Sequence, residues 1–511
     1  MAEKSIIIIG AGLAGLSTGC YAQMNGYQTH IFEHHTKPGG VAAAWKRQGY
    51  LIDGGIHFLM GHRPGQSTYE LYHELGTAQA NRVLDLITYG RFIDEASGRS
   101  VEFTQDLDRL AGDLKAFSPA DARTIDDLIA GARAMQGSDM FAMMVKPPEL
   151  MGHLNQLKQM WGMRRSFKYF TGKYAKPVAD YVTAVHDPLL RQIIENLFLP
   201  EVPVWFVLML LALLADNQIG LLEGGCLDFV LPIEQRYKAL GGQLTYEATV
   251  EEILVENDRA VGVRLADGSE HRSDMVVSAA DGYSTIFKML GGRYVDNNIK
   301  ERYQTWKLVR PAVMVSFGVA REFTSEPHLS FILLERPFTV GSQAIDGFSL
   351  RIFNYSDRFA PPGKTVVQAM FETEWDFWNE LQKDRPRYDA EKERVASEVL
   401  TRLEAHYPGI SSLIELTDVA TPYTTWRYTL NRKGAYMGWL PTPEALKTAV
   451  PKTLPGLANF YMAGQWVGSG GGVPTCLYSG RHVVQLLCHR DDRPFLFHRA
   501  HVATLTNGGQ K

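Results

Sequence analysis

Hydrophobic positions begin as a block rather than an alternation, with Ile6, Ile7, Ile8 and Ile9 following one another and no polar residue between them. An uninterrupted β-branched run predicts a strand buried on both faces, as in a parallel sheet. It leads into Gly10-Ala11-Gly12-Leu13-Ala14-Gly15, then a helix-length segment closed by Gly26, then Thr29-His30-Ile31-Phe32 ending on Glu33. From 69 to 216 the apolar residues recur at helical spacing and glycines are few, so a mainly helical region is expected. Strand patterns return at 244–255, 260–265 and 275–280. A mixed region follows over 297–446, with strand-like alternation at 312–319 and 365–371. The pattern ends with a strand at 459–464, a loop holding Gly468, Gly470, Gly471 and Gly472, and a helix from Val473-Pro474. Proline suits that position because a first-turn N–H has no helical partner.

The first of these units carries chemistry. Gly10 permits a tight turn, Gly12 lets backbone approach a pyrophosphate, and Gly15 lets helix and strand pack closely. The diphosphate would sit at the helix N-terminus, on Leu13 and Ala14, where unpaired N–H groups and the dipole favour negative charge. Glu33 lies 21 residues past Gly12, where an acid accepts hydrogen bonds from ribose hydroxyls. Strand, glycines, helix and spaced acid together point to a dinucleotide rather than to a structural glycine turn. The fingerprint alone does not separate FAD from NAD. The C-terminal strand, glycine loop and helix favour a flavin, whose ring needs donors at N1 and O2 when reduced. No second strand-GxGxxG-helix unit occurs, so a dedicated NAD(P)H domain is not expected, and the electron acceptor stays open among oxygen, a quinone, a partner protein and the organic substrate.

Composition narrows the class. A chain of 511 residues exceeds one small core, and its 45% hydrophobic and 21% charged content is that of a globular protein. The net charge of −4 argues against a wholesale nucleic-acid binder. Cys20, Cys226, Cys476 and Cys488 are scattered, without a C-x-x-C pair, and suggest neither a disulfide framework nor a metal site. The first strand starts at once, leaving no room for a signal peptide, so a cytoplasmic location is expected. The longest apolar run, Val204–Ala215, is shorter than the roughly 20 residues of a membrane span and reads as a buried helix or a pocket wall. Between 151 and 176 the basic residues Lys158, Arg164, Arg165, Lys168, Lys173 and Lys176 are interleaved with methionine and aromatics, and no acid occurs. Such a stretch would attract anionic lipid at roughly 1 kcal/mol per basic residue, making peripheral membrane contact the functional reading and a solvated helix face the plain one.

The order of these motifs, with Pro38-Gly39-Gly40, Asp53-Gly54-Gly55-Ile56-His57 and Tyr461-Met462-Ala463-Gly464…Gly472-Val473-Pro474, resembles the phytoene desaturase group of flavoproteins. Carotenoid isomerases and retinol saturases belong to that group, and monoamine oxidases are more distant relatives. The segment 421–439 is similar to the group's substrate-side motif. The resemblance implies an α/β fold: a Rossmann-type FAD-binding domain in three pieces (1–75, 225–290 and 450–490), an inserted α+β substrate domain (76–224 and 291–449), and a tail at 491–511. It implies non-covalent FAD, because no cysteine stands where a covalent link would need one. Gly39, Gly40 and Val41 would run along the diphosphate and ribityl chain, Gly55, Ile56 and His57 beside the ring, and Val250 against the adenine. Gly464 and Gln465 would touch the ribityl-phosphate side, with Gly472, Val473 and Pro474 at the pyrimidine edge. Many relatives have arginine at position 41 and an acid at 465; this chain has Val41 and Gln465.

The activity so implied is desaturation, saturation or isomerisation of carbon–carbon bonds in an apolar, isoprenoid or lipid-like substrate by hydride exchange with flavin N5. Alternatives are an FAD-dependent amine oxidase and a non-catalytic FAD-containing carotenoid- or lipid-binding protein. Candidates for chemistry are His57, as orienting or proton-passing group or as part of the flavin cradle, and Tyr428 and Tyr436. With Tyr423, Arg427 and Trp439 these tyrosines are expected to line the substrate cavity.

Overall fold

The computed structural model describes residues 4–152, 165–468 and 470–499. A five-stranded parallel sheet contains β1 (Ser5–Ile9), β2 (Gln28–Phe32), β3 (Gln243–Thr245), β4 (Met275–Ser278) and β5 (Phe460–Met462), in the order β3-β2-β1-β4-β5. The isoleucine block occupies its centre. Ile6 and Ile8 enter the core on one face, while Ile7 and Ile9 enter a second core on the other. A polar residue at any of these positions would be buried without a partner, which explains the absence of alternation.

Helices α1 (Leu13–Met24), α2 (Gly225–Ala239) and α3 (Gly472–Arg490) contribute to the first core. Glycine allows α1 and α3 to approach closely, since a Cβ on Gly480 would lie 2.6 Å from the Ala14 carbonyl oxygen. Ser17 Oγ donates to the Leu477 carbonyl at 2.7 Å, across 460 residues of chain. The other face is covered by an antiparallel sheet of Val250–Glu256, Arg259–Leu265 and Glu270–Arg272.

The second large element is a seven-stranded sheet in the order Ile414–Ala420, Ala312–Val319, Thr365–Glu372, Gln343–Ile352, Leu329–Val340, Thr88–Asp94 and Ser100–Thr104. Alternate residues on one face (Val313, Val315, Phe317, Val367, Ala369, Leu350) pack with Trp378, Val395 and Val399 of the Trp375–Leu381 and Arg385–His406 helices. The opposite face is turned toward the nucleotide-type sheet. At its edge it meets the hairpin Ala44–Arg47/Tyr50–Asp53, through Tyr50 and Ile52 against Phe353, Phe359 and Val366.

Within 69–216 the helices Leu107–Phe117, Ala122–Met135, Pro188–Glu195 and Val204–Ala215 match the helical reading, and Val204–Ala215 is a buried helix. Thr88–Asp94 and Ser100–Thr104 do not match it. Both are short strands completed by pairing with each other and, for Thr88–Asp94, with Leu329–Val340, a long-range partner that local periodicity cannot reveal. Part of the basic stretch, including Lys158 and Arg164, lies outside the described residues. In the remainder Tyr169 is buried, Phe170 lies 5.5 Å from Trp205, Lys173 pairs with Asp127 at 2.8 Å, and Phe167 is 48% exposed. No helix among the described residues is long and apolar enough to cross a membrane. The described part of the C-terminal tail packs over α1 and α2, with the Leu496 N–H on Asn25 Oδ1 at 2.7 Å and Arg236 on the His498 carbonyl at 2.7 Å.

Candidate cofactor and substrate site

The glycine loop between β1 and α1 is built to leave room on one side only. A Cβ on Gly15 would fall 1.9 Å from the Gly10 carbonyl oxygen, so the turn itself requires glycine there. A Cβ on Gly12 would meet nothing within 4 Å. Gly12 is also the N-cap of α1, without a side-chain cap and without an acid in the first helical turn, so the positive helix end is unmet by protein. The same holds at α3: no side chain caps it, its first turn has no acid, and a Cβ on Gly472 would meet nothing within 4 Å. Two uncapped helix ends facing open space suit a diphosphate and a flavin pyrimidine edge, and the residues present fit such a group.

Of the remaining cofactor candidates, Gly39, Gly40 and Gly464 adjoin the glycine loop and α1. Gly39 donates its N–H to the Ala11 carbonyl at 2.9 Å and bridges Gly12, and a Cβ on Gly40 would stand 3.5 Å from the Gly12 Cα. Gly55 is pressed against Val41 and Ala42, where a Cβ would approach Ala42 Cα to 2.8 Å. Gly464, at φ +100°, donates to Ser479 Oγ at 2.7 Å, and a Cβ on it would reach Ala14 Cβ at 3.5 Å. Gln465 is buried, and its carbonyl is 2.9 Å from where a Gly438 Cβ would be. Ile56 and Val473 are both half-buried against the first core, and Pro474 stands in the first turn of α3. On the adenine-type side the Ala248 N–H bonds the Glu33 carbonyl at 2.8 Å and His34 Nδ1 meets Thr249 Oγ1 at 2.7 Å, which brings Val250 beside Glu33.

Glu33 has a second duty that the sequence does not announce. Its carboxylate accepts the Ala11 N–H at 2.5 Å and the His35 N–H at 2.8 Å, tying the glycine loop to the end of β2. Burial pushes the carboxyl above its ordinary range, and these two donors pull it back. Asp53 does similar work further along. It accepts from the Cys226 N–H at 2.7 Å, Cys226 Sγ at 2.8 Å and the Gly55 N–H at 3.1 Å, fastening the 53–57 segment to the start of α2. Its own carbonyl accepts from Gln368 Nε2 at 3.0 Å.

His57 is half-buried and has no hydrogen bond to any described residue. Burial, followed by the Arg351 charge, holds it down to about 3, which favours the neutral ring. Beside it Phe58 meets Tyr89 edge-on at 5.7 Å, and Tyr89 stacks on Phe331 at 6.2 Å. These rings adjoin the inner face of the seven-stranded sheet, where the register aligns Ser316–Gln368–Arg351, then Met314–Met370–Ser349, then Ala312–Glu372. Met314 Cε would lie 3.2 Å from a Cβ on Gly54. Burial pushes the Glu372 carboxyl up, Arg310 opposes this and Glu201 reinforces it. Tyr436 is half-buried, with its hydroxyl pushed up by burial and then by Glu372. The next residues in the chain, Met437 and Gly438, contact Gly471 and Gln465, so Tyr436 joins the α3 loop to the sheet face.

Tyr428 stands apart from the other aromatic candidates. It is 41% exposed and lies edge-on to His35 at 4.9 Å, because the Pro422–Thr429 helix turns it outward. Arg427 is exposed beside it, Tyr423 stacks on Trp426 at 5.5 Å, and Trp439 is a core residue donating to the Trp466 carbonyl at 3.2 Å. Of the aromatic set only Tyr436 is placed at the sheet face. Glu372, Arg351 and Gln368 were not singled out from sequence. The available signal was polar residues inside otherwise apolar strands, Gln368 above all.

Comparison with known proteins agrees with this architecture. The chain is 25% identical over 505 residues to the chloroplastic prolycopene isomerase of Arabidopsis thaliana, covering 93% of this chain and 81% of that one. It is 24% identical over 518 residues to the lycopene-forming phytoene desaturase of Pseudescherichia vulneris, covering 95% and 99%. The crystal structure of an oxidoreductase from Methanosarcina mazei superposes with a TM-score of 0.58 at 18% identity, over 94% of this chain and 100% of the other, and so shares the fold. The model of the flavin containing amine oxidoreductase family matches residues 13–488, and the chain belongs to that family.

Proposed function

We propose that the protein is an FAD-dependent oxidoreductase that desaturates, saturates or isomerises carbon–carbon bonds in an apolar isoprenoid substrate. The observation that carries this reading is the likeness to prolycopene isomerase and phytoene desaturase along almost the whole chain, substrate-side strands included. FAD supplies hydride exchange at N5 when bound. Its domain is assigned to 1–75, 225–290 and 450–490, and the substrate domain to 76–224 and 291–449. Gly12, Gly39 and Gly40 would admit the diphosphate, with the α1 N–H groups facing it, and Gly472 to Pro474 would face the ring. Non-covalent binding is part of this reading, since none of the four cysteines stands where a covalent link would need one.

The chain's own contribution is positioning. Neutral His57 would orient substrate, the Phe58–Tyr89–Phe331 wall and the Met314–Met370 row would exclude water, and Glu372 would hold a proton next to the Tyr436 hydroxyl. Peripheral membrane contact through the 151–176 region would suit a bilayer-dissolved substrate and is part of this reading. The test is anaerobic mixing of the yellow holoprotein with prolycopene or phytoene in detergent, followed by chromatography of the polyene. New double-bond number or geometry supports the proposal. Unchanged polyene, with flavin bleached by cyclohexylamine, overturns it in favour of amine oxidation.

A further inference from the structure

The inner sheet face carries a cation whose charge no neighbouring acid neutralises. Arg351 is 6% exposed, and among the described residues no carboxylate oxygen lies within 4.0 Å of its guanidinium. Burying such a charge is costly unless it is paired and hydrogen-bonded. Of its five N–H donors, one bonds Gln368 Oε1 at 3.2 Å, and the plane lies over the Phe353 ring at 4.6 Å. Gln368 cannot turn its other end, because its Nε2 is held by the Asp53 carbonyl and by Ser316 Oγ, each at 3.0 Å. Asp53 is the nearby acid, yet it makes no ion pair with Arg351 and its carboxylate accepts from Cys226 and Gly55 instead. The Tyr355 hydroxyl accepts a further bond from the guanidinium, and none of the guanidinium nitrogens is enclosed without a partner.

His57, His328 and Tyr355 stand close enough to feel this charge. Burial and the Arg351 charge hold His328 down to about 4, as they hold His57 down to about 3, so both rings are neutral and add no anion. Next along the strands comes the Met314–Met370 row, about 7 Å away at roughly 3.3 Å per residue. A polar anchor thus stands beside an apolar row on the same sheet face.

We propose that Arg351 receives a carbonyl or carboxylate oxygen at one end of an otherwise apolar substrate, whose chain then lies along the methionine row. This rests on the isoprenoid reading above and narrows it to oxygen-terminated isoprenoids. The guanidinium fork offers two donors to such an oxygen, and the rigid Gln368 brace fixes its direction.

The test compares three probes of one carbon skeleton on the wild-type holoprotein: all-trans-retinoic acid, all-trans-retinol and the end-group-free hydrocarbon axerophtene. Binding is read by tryptophan quenching and flavin absorption is recorded in parallel. The acid is expected to bind at least tenfold tighter than the hydrocarbon. Arg351→Met should remove that preference, Arg351→Lys should keep part of it, and hydrocarbon affinity and FAD content should stay unchanged. Equal affinity of all three for the wild type overturns this inference alone and needs no variant. Binding of none overturns the isoprenoid reading beneath it. A preference that survives Arg351→Met, or a loss of FAD from that variant without a change of preference, assigns the cation elsewhere and also overturns it.

Discussion

Gly12 and Gly15 stand one helical turn apart and exclude a side chain for opposite reasons. A Cβ on Gly15 strikes the Gly10 carbonyl, while one on Gly12 strikes nothing in the protein. Gly15→Val is therefore expected to fail in folding. Gly12→Val should fold with a near-normal denaturation midpoint and retain little FAD, measured as flavin absorbance per protein. A Gly12→Val protein with full FAD content would refute the diphosphate placement. Titration gives a second residue-scale expectation. His57 and His482 are held down to about 3 and His328 to about 4, burial being the first cause at each, against 6.5 when free. The unfolded chain takes up these protons as pH falls below about 6.5 and the folded chain does not. Stability is therefore complete above that pH and declines on acidification toward the folded values. His57→Asn should shrink the difference between denaturation at about pH 5 and about pH 7.5, and an unchanged difference would contradict its burial as a neutral ring. The glycines were legible in the sequence because each obeys a local rule. Arg351 and Gln368 were not, because only cross-strand register makes them neighbours.

At the scale of elements, the site is a junction of segments held by short polar fasteners. Asp53 is the chief one, joining the 50–57 strand and turn to the start of α2 through buried donors. Asp53→Ala leaves the Cys226 and Gly55 N–H groups without acceptors, and should cost about 3 kcal/mol in urea unfolding, as for a charged hydrogen bond lost with its partner buried. Asp53→Asn should lose less, since its amide oxygen still accepts one of them. Equal stability of Asp53→Ala and wild type would remove the fastener role. The Gly55 bond of Asp53 is local, but the longer reach to Cys226 spans 173 residues and leaves no local trace. The same limit applies to Thr88–Asp94: its strand exists because Leu329–Val340 pairs with it. Apolar strands such as β1, β4 and β5 were readable even though β4 and β5 pair across long stretches of chain, whereas the mixed strand Thr88–Asp94 was not.

For the whole molecule, the parallel sheet is interleaved with the substrate sheet, and its last members come from far along the chain. Ending the chain after Asn459 removes β5 and α3, stripping β4 of a neighbour and α1 of the helix it packs against. The shortened protein is expected to bind no flavin and to be degraded rapidly in limited proteolysis; a yellow, protease-resistant fragment would show that the first domain closes without them. The parallel sheet was legible in broad outline, since apolar runs mark β1, β4 and β5. The inner face of the substrate sheet was not, since its function depends on which side of each strand looks back at the nucleotide fold. The contact of Ser17 with Leu477 also sets a timetable. During synthesis at roughly 5–20 residues per second, α1 emerges from the ribosome tens of seconds before α3 exists. Through that interval its packing face is bare and the loop around Gly12 has no opposing wall. Cofactor capture is thus a late event in the life of the nascent chain, and whatever shields α1 meanwhile must let go before the flavin can enter.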